Sequence, residues 1–340
     1  MDSVTHAAMG AVFAAALSPR LVGTATADLA TRRRLAVCGA IGGLLPDADT
    51  FIQSSSDALL ILDYHRHFTH ALAFVPVGAL IAAALLWPFW RQQLSFRPIY
   101  IAALAGYLAH LLLDSCTSYG THLWLPFSSD QTAWSVIAVF DPSFTVLLLV
   151  PLFLSLRRAE SKAALWALPL ASIYLSIATF QQSRVEAMAA ELMQARGHGA
   201  ATVSAKPTMA NLILWRSIYS HQGRVYADAI RAGWTLRGYQ GSSAPLIDSN
   251  EARLIAAGEA DRLRDIERFR EHSKGFVVRD PNQPDTIGDA RYAMLPTEIA
   301  PLWGIRWKSP GARTELVTDR DMSPSSRQQF LDMLLARERG

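Results

Sequence analysis

The chain has 340 residues, 51% of them hydrophobic and 18% charged, with a formal net charge of +3. That length allows two domains, and a small, scattered positive charge excludes a nucleic-acid-binding patch. The only cysteines, Cys38 and Cys116, give neither a disulfide framework nor a Cys-rich zinc motif, and both read as small buried hydrophobes in or beside apolar stretches.

The charge is unevenly divided. Residues 1–180 hold ten Lys and Arg and ten Asp and Glu, whereas residues 181–340 hold 22 and 19. The first half is therefore lipid-like and the second resembles a water-soluble domain. The expected architecture is mainly α: a multi-helix membrane bundle over residues 1–180, a helix and linker over 181–205, and a small α+β domain over 206–340.

In chain order, the first apolar stretch is Thr5–Leu17. No basic region precedes it, so it does not read as a cleaved secretory signal. It and Leu35–Leu45 are short for a bilayer and predict buried or tilted helices, with Gly10, Gly39, Gly42 and Gly43 allowing close helix contact. Ala71–Trp90 and Pro98–Asp114 approach spanning length, and Pro142–Leu156 and Ala163–Phe180 lie near its lower limit. That makes six segments. Arg184–Ala195 predicts a helix, followed by a Gly/Ser/Ala linker. Leu212–Tyr219 and Arg224–Arg231 predict a β-hairpin around Ser-His-Gln-Gly. Further strands are expected near Gly275–Val278, Ala290–Leu295 and Leu302–Lys308, and helices at Glu251–Ala257, Asp261–His272 and Ser325–Arg337. Trp215, Trp234, Trp303 and Trp307 are expected in the core of this domain.

Connections 18–34, 91–97 and 157–162 carry Arg20, Arg32, Arg33, Arg34, Arg91, Arg97, Arg157, Arg158 and Lys162. The opposite side, formed by the amino terminus, 46–70 and 115–142, has Arg66 as its one base. The positive-inside bias then places the basic side in the cytoplasm. An even number of crossings puts both termini and the second half outside, in a multi-pass inner-membrane protein surrounded by membrane lipids.

The remaining polar groups sort to one face. Six of the nine histidines lie within the first 122 residues, close to aspartates at the ends of apolar segments: His6, Pro46-Asp47-Ala-Asp49, His65-Arg66-His67-Phe-Thr-His70, His110-x3-Asp114 and His122. All fall on the extracytoplasmic side of this topology. Ionisable groups in membrane-like sequence are costly and mark function by default, and His and Asp are common ligands of divalent metals. His110 and Asp114 share one helix side, and two neighbouring carboxylates such as Asp47 and Asp49 repel unless a cation separates them. Each piece also has a plainer reading. His110-x3-Asp114 alone could be an intrahelical hydrogen bond, and Asp47 with Asp49 a solvated turn and cap. Their convergence on one face of a nearly uncharged domain favours metal.

The candidate ligands are thus His6, Asp47, Asp49, His65, His70, His110, Asp114 and His122. They are enough for one or more ions, with zinc expected and manganese or iron as alternatives. His67 reads as an extra ligand or a surface residue, and His198, His221 and His272 as isolated. Metal-activated water implies hydrolysis, of a phosphoester or lipid-linked substrate at headgroup level, with Asp49 or Asp114 as base and Arg66 stabilising negative charge. The alternatives are a transporter, which would need polar groups in mid-span, and a metal-stapled structural membrane protein.

These residues resemble the YdjM-like family of membrane-bound metal-dependent hydrolases. The matching pieces are Asp2-x-x-Thr5-His6 with Gly10, Leu45-Pro-Asp47-x-Asp49, His65-Arg66-x-x-Thr69-His70, and His110-x3-Asp114 followed by Thr117-x-x-Gly120-Thr121. The tail resembles longer members through Asn211-Leu-x-Leu-Trp215-Arg216 and Gly288-Asp289-x-Arg291-Tyr292. The resemblance implies an integral-membrane hydrolase with His6, Asp47, Asp49, His65, His70, His110 and Asp114 at its site.

Overall fold

A computed structural model describes residues 1–23, 27–157, 161–199, 202–309, 311–320 and 323–337. It divides into two compact units. The first comprises Met1–Ile52, Tyr64–Thr179 and Met209–Asn211, and the second Gln53–Asp63, Phe180–Thr208 and Leu212–Gly340.

The first unit is helical. It contains α1 (Ser3–Val22), α2 (Leu29–Leu44), α4 (Val75–Trp90), α5 (Phe96–Ser115), α6 (Pro142–Arg157), α7 (Ser161–Leu165) and the first part of α8 (Ala167–Ala195). A short helix α3 (Leu60–Tyr64) lies at a boundary between the units. Among the described residues, three helices are long and apolar enough to cross a membrane: Leu72–Trp90, Phe96–Ser115 and Lys162–Ala195. Pro142–Arg157 is a shorter apolar helix.

Local signals explain the helix starts. Asp2 caps α1 by accepting from the Thr5 amide, and Asp28 caps α2 by accepting from the Thr31 amide. Pro46 follows α2 and opens a tight 3-10 turn over Leu45–Phe51. Both α1 and α2 are well buried, as their small residues lead one to expect, although α1 runs to 20 residues and so extends beyond the apolar stretch Thr5–Leu17. Cys38 and Cys116 are free and buried.

The heart of this unit is a three-way backbone contact between α1, α2 and α5. A Cβ on Gly10 would lie 2.2 Å from the Gly39 carbonyl oxygen, and a Cβ on Gly106 only 2.0 Å from the same atom. Gly42 is equally tight against Ala103. Small residues let membrane helices approach closely enough for dispersion and backbone contact to hold them.

The second unit is α+β. Its first sheet runs β1 (Ser204–Pro207), β2 (Leu214–His221), β3 (Arg224–Ala232) and β4 (Leu236–Tyr239), with β5 (Ser243–Pro245) also pairing β3. The second runs β6 (Val277–Arg279), β7 (Thr286–Asp289), β8 (Trp303–Arg306) and β9 (Glu315–Thr318), and both sheets are antiparallel. The expected β2–β3 hairpin is present, pairing His221 with Arg224 across Gln222-Gly223, both at positive φ. The helices are α9 (Ser249–Ala256), α10 (Ala260–His272) and α11 (Pro324–Leu335).

Several expectations need correction. The separate helix from Arg184 is instead the continuation of α8, because no breaker interrupts the sequence at residue 180. The strand expected at Ala290–Leu295 is a turn region. Asp289 accepts from the Arg291 amide and side chain, and the buried Arg216 guanidinium collects the carbonyls of Ala290, Pro296 and Glu298. Trp234 is fully exposed rather than core, because it lies in the turn between β3 and β4, while Trp215 is buried. Residues 53–63, read as a loop of the helical half, pack in the second unit. Leu59 joins the core of Ile247, Ile266, Phe269 and Ile305, and Arg268 pairs with Asp57 and Asp63.

Because the Gly106 contact is with backbone on both sides, the Gly106→Ala substitution must push α5 away from α2. Overpacking of this kind should cost about 1–3 kcal/mol, read as a lower unfolding midpoint in detergent. The Leu108→Ala substitution, on an exposed face of the same helix, should change stability by no more than about 0.5 kcal/mol.

Candidate metal centre

Four elements deliver the site. α1 carries His6 on its first turn, and the turn after α2 carries Asp47 and Asp49. A second 3-10 turn, Phe68–His70, carries His70, and the last turns of α5 carry His110 and Asp114. His6, Asp49, His70, His110 and Asp114 are buried, whereas Asp47 and His65 reach partial exposure. Asp47, His70, His110 and Asp114 each offer a ligand atom within 4.8 Å of the others.

The tautomers of the two imidazoles follow from their neighbours. His110 Nδ1 lies 2.7 Å from the Gly43 carbonyl oxygen, which can only accept, so Nδ1 carries the proton. His70 Nδ1 lies 3.0 Å from Thr69 Oγ1, whose own proton goes to Asp49 Oδ2, and 3.1 Å from that carboxylate, so it too carries the proton. In the neutral rings both Nε2 atoms then present lone pairs, and these atoms are 3.0 Å apart. Asp47 Oδ1 is 3.5 and 3.6 Å from them, and Asp114 Oδ2 is 3.4 and 3.5 Å away. Two lone pairs and two carboxylate oxygens facing one point repel unless a proton or a cation lies between them. A histidine ligand whose other nitrogen is held by a carboxylate or carbonyl is the usual arrangement around a protein-bound metal.

Charge shifts outside the spans agree. Burial opposes ionisation of Asp47, but the hydrogen bond from His70 and the nearby His110 outweigh it and hold the carboxyl at about 2. Asp49 is likewise held well below the usual carboxylate range, burial being overcome by His65 and His70. Burial lowers His70, yet its hydrogen bonds to Asp114, Asp47 and Asp49 pull it up to about 10. The carboxylates together demand positive charge, which a proton on His70 or a divalent cation in its place can supply.

The other expected residues fall around this group. Asp49 accepts from His65 Nδ1 at 2.8 Å, from the Arg66 amide at 3.0 Å and from Thr69 Oγ1 at 2.6 Å, so it fixes both histidine-bearing turns. It also forms, with Asp47 and His65, a second group of ligand type. His6 stacks on His110 at 3.6 Å and points Nε2 at Asp114 Oδ1, 3.1 Å away, leaving its buried Nδ1 without a hydrogen-bond partner. Asp114 is further paired with Arg66 Nε at 3.1 Å and with the Met1 amino group.

Arg66 adopts φ +64°, a conformation non-glycine residues rarely take. Its amide donates to Asp49, its carbonyl accepts from the His122 amide and its Nη1 donates to Thr117 Oγ1, which together over-determine the strained turn. His122 is not a member of either group. Its ring meets His67 edge-on at 5.2 Å and Gln131 at 3.1 Å. In the second unit, His198 and His221 are not isolated but stack at 4.2 Å across their shared surface.

Sequence reading missed the groups that orient these ligands. Thr69 and Thr117 lie inside the His65–His70 and Thr117–Thr121 motifs and could have been singled out as hydroxyl partners. Tyr107, whose hydroxyl donates to the Thr69 carbonyl at 2.6 Å, carries no such signal. Neither does the Gly43 carbonyl, since a backbone atom has no sequence signature.

The family model described as YdjM inner membrane protein matches residues 1–185. The chain belongs to this family. The chain is also similar to the inner membrane protein YbcI of Escherichia coli (strain K12), 31% identical over 140 residues, which are 40% of this chain and 75% of YbcI. The uncharacterized protein YfhP of Bacillus subtilis (strain 168) is 32% identical over 144 residues, 42% of either chain. The match thus spans under half the length of YfhP. No solved structure matches the chain.

Elemental analysis and metal titration of the purified protein test the centre. The His110→Ala and Asp114→Ala substitutions should abolish stoichiometric divalent metal. Asp49→Asn, which leaves His70 without its charged acceptor, should keep the site but weaken affinity about 10–100-fold. Equal metal content in all three variants and the parent refutes the assignment.

Proposed function

We propose that the protein is a membrane-bound metal-dependent hydrolase acting on a phosphoester or lipid-linked substrate at the extracytoplasmic face of the inner membrane. One observation carries this reading: the His70 and His110 Nε2 atoms face each other at 3.0 Å, with their Nδ1 atoms committed elsewhere and Asp47 and Asp114 completing the donor set. Two imidazoles and two carboxylates suit zinc, and also accommodate manganese or iron. A divalent ion held there supplies Lewis-acid activation of water and of a phosphoryl oxygen.

The residues then divide the work. Asp114 is enclosed by His6, Arg66 and the Met1 amine, and Asp49 is saturated by His65, Arg66, Thr69 and His70. Both are thereby spent on structure and charge balance. Asp47 is the carboxylate at the partly exposed edge and belongs to both ligand groups. It is therefore the group we assign to take the proton of the attacking water, in place of Asp49 or Asp114. Arg66, pinned between Asp114 and Thr117, provides fixed positive charge for a developing phosphoryl anion. The nearly uncharged interior of the spans favours this reading over transport.

The orientation rests on the basic connections around Arg20, Arg32–Arg34, Arg91, Arg97 and Arg157, opposite the end that carries the ligands. This orientation takes α1, α2, α4, α5, α6 and α8 as six crossings, of which those of α4, α5 and α8 are long and apolar enough by themselves. A carboxy-terminal alkaline phosphatase fusion should therefore be active and a cytoplasmic fluorescent reporter at the same position dark. The reverse pattern overturns the orientation.

Activity is tested by screening the metal-loaded protein against phosphodiesters and phospholipids. Asp47→Asn, which replaces a charged donor by an amide carbonyl, should weaken metal affinity and, at saturating metal, still lose about 10²–10⁴-fold in rate. A chelator should abolish turnover before it melts the bundle. Failure to hydrolyse any phosphoester, together with melting on chelation, identifies the metal as a structural staple instead.

A further inference from the structure

The end of the bundle that carries the ligands also carries large aromatic side chains that are partly or almost wholly exposed. Phe127 is 90% exposed and Phe51 86%, and Phe68, Trp124, Trp134 and Phe140 are each more than a third exposed. All six lie on the connections that build the site. Phe51 closes the turn bearing Asp47 and Asp49, and Phe68 opens the turn bearing His70. The other four lie in the segment between Asp114 and α6. That segment folds back on the end of α5, since the Trp134 amide donates to the Ser115 carbonyl and the Val136 amide to the Cys116 carbonyl. Its far end is tied to α1, because Val139 accepts from the Asp2 amide.

Helix length gives the depth of this collar. The span Leu72–Trp90 has 19 residues, about 28 Å at 1.5 Å per residue, close to the hydrocarbon thickness of about 30 Å. Leu72 therefore marks one membrane boundary, and the Leu72 amide donates to the Leu123 carbonyl at 2.9 Å, placing Trp124 at that level. His70 is two residues away. At the opposite end, Trp87, Phe89 and Trp166 are again exposed. Paired aromatic belts at the two ends of apolar spans mark the interfaces of a bilayer, where a ring can lie among chains and headgroups.

We infer that the 121–140 segment, with Phe51 and Phe68, beds into the headgroup layer, so that the metal centre meets a bilayer lipid from the side and its scissile ester lies at headgroup depth. The surface is continuous with the lipid-facing side of α4, where Val77, Leu80 and Ile81 are exposed. A lipid surface is thus the occupant that needs no new partner. The substrate clause rests on the hydrolase reading, whereas the depth of the collar does not.

Nitroxide labels at Phe127→Cys and Trp124→Cys, with one at Asp130→Cys as a polar comparison in the same segment, test this in the full chain. Cys38 and Cys116 are buried and stay unlabelled. In vesicles of phosphatidylethanolamine and phosphatidylglycerol, labels at 124 and 127 should show an oxygen-to-nickel-chelate accessibility ratio several-fold above that at 130. Ratios equal to that at 130 overturn the inference. If a label prevents folding, quenching by lipids brominated near the headgroup is read instead. Trp124→Phe with Trp134→Phe should remove much of the quenching seen in the parent, and unchanged quenching overturns the collar. Metal content measured on the same samples tests the catalytic reading separately. An embedded collar without metal retires the hydrolase, and metal with an aqueous collar retires lateral lipid entry.

Discussion

The close approach of α1, α2 and α5 at Gly10, Gly39 and Gly106 is the constraint on which the helical unit depends. With a Cβ at Gly106 only 2.0 Å from the Gly39 carbonyl oxygen, no side chain can be accommodated without moving a helix. The same contact sets the chemistry. It brings His6 on α1 against His110 on α5, and holds the end of α2 so that Gly43 offers its carbonyl to His110 Nδ1. If the helices moved apart, His110 would lose the acceptor that fixes its tautomer.

Around that contact lies a cluster that an apolar bundle would not otherwise tolerate. Buried carboxylates and imidazoles are costly unless paired, and here each is paired with intent. Asp49 ties the turn of Asp47 to the turn of His70, Thr69 and Tyr107 fix that second turn, and Arg66 takes a strained conformation to reach Asp114. The outcome is that, among the described residues of the cluster, the ends left facing one another are those of His70, His110, Asp47 and Asp114, with the unpartnered His6 Nδ1 beside them. Positive charge is needed at that point. The family match over residues 1–185 covers all of these residues, so the centre belongs to the part of the chain shared with its relatives.

The second unit draws on the first half of the sequence. Leu59 fills its core, and Asp57 and Asp63 pair with Arg268, so the segment between the two ligand-bearing turns is an integral part of the α+β fold. The tail motifs prove structural. Arg216 gathers three carbonyls, and Arg291 pairs with the buried Asp289 to turn the chain after β7.

Much was legible in the sequence because it depends on short-range pattern. The apolar lengths of α4 and α5, the i,i+4 placement of His110 and Asp114, the Gln222-Gly223 hairpin and the small residues of α1 and α2 are all properties of neighbouring residues. So is the concentration of His and Asp at segment ends, which identified Asp47, His70, His110 and Asp114 as companions. Other features required the tertiary structure. Trp234 falls in a tight turn and not in a core, α8 continues past the composition change at residue 180, and residues 53–63 join a distant core. Which candidate ligands come together was also tertiary, with His122 set beside His67 and Asp49 both holding its neighbours and grouped with Asp47 and His65. The sequence by itself determined which residues could bind a metal. Which atoms face one another depended on a glycine contact between three helices and on one backbone carbonyl, and distances between segments remote in the chain exist only once it is folded.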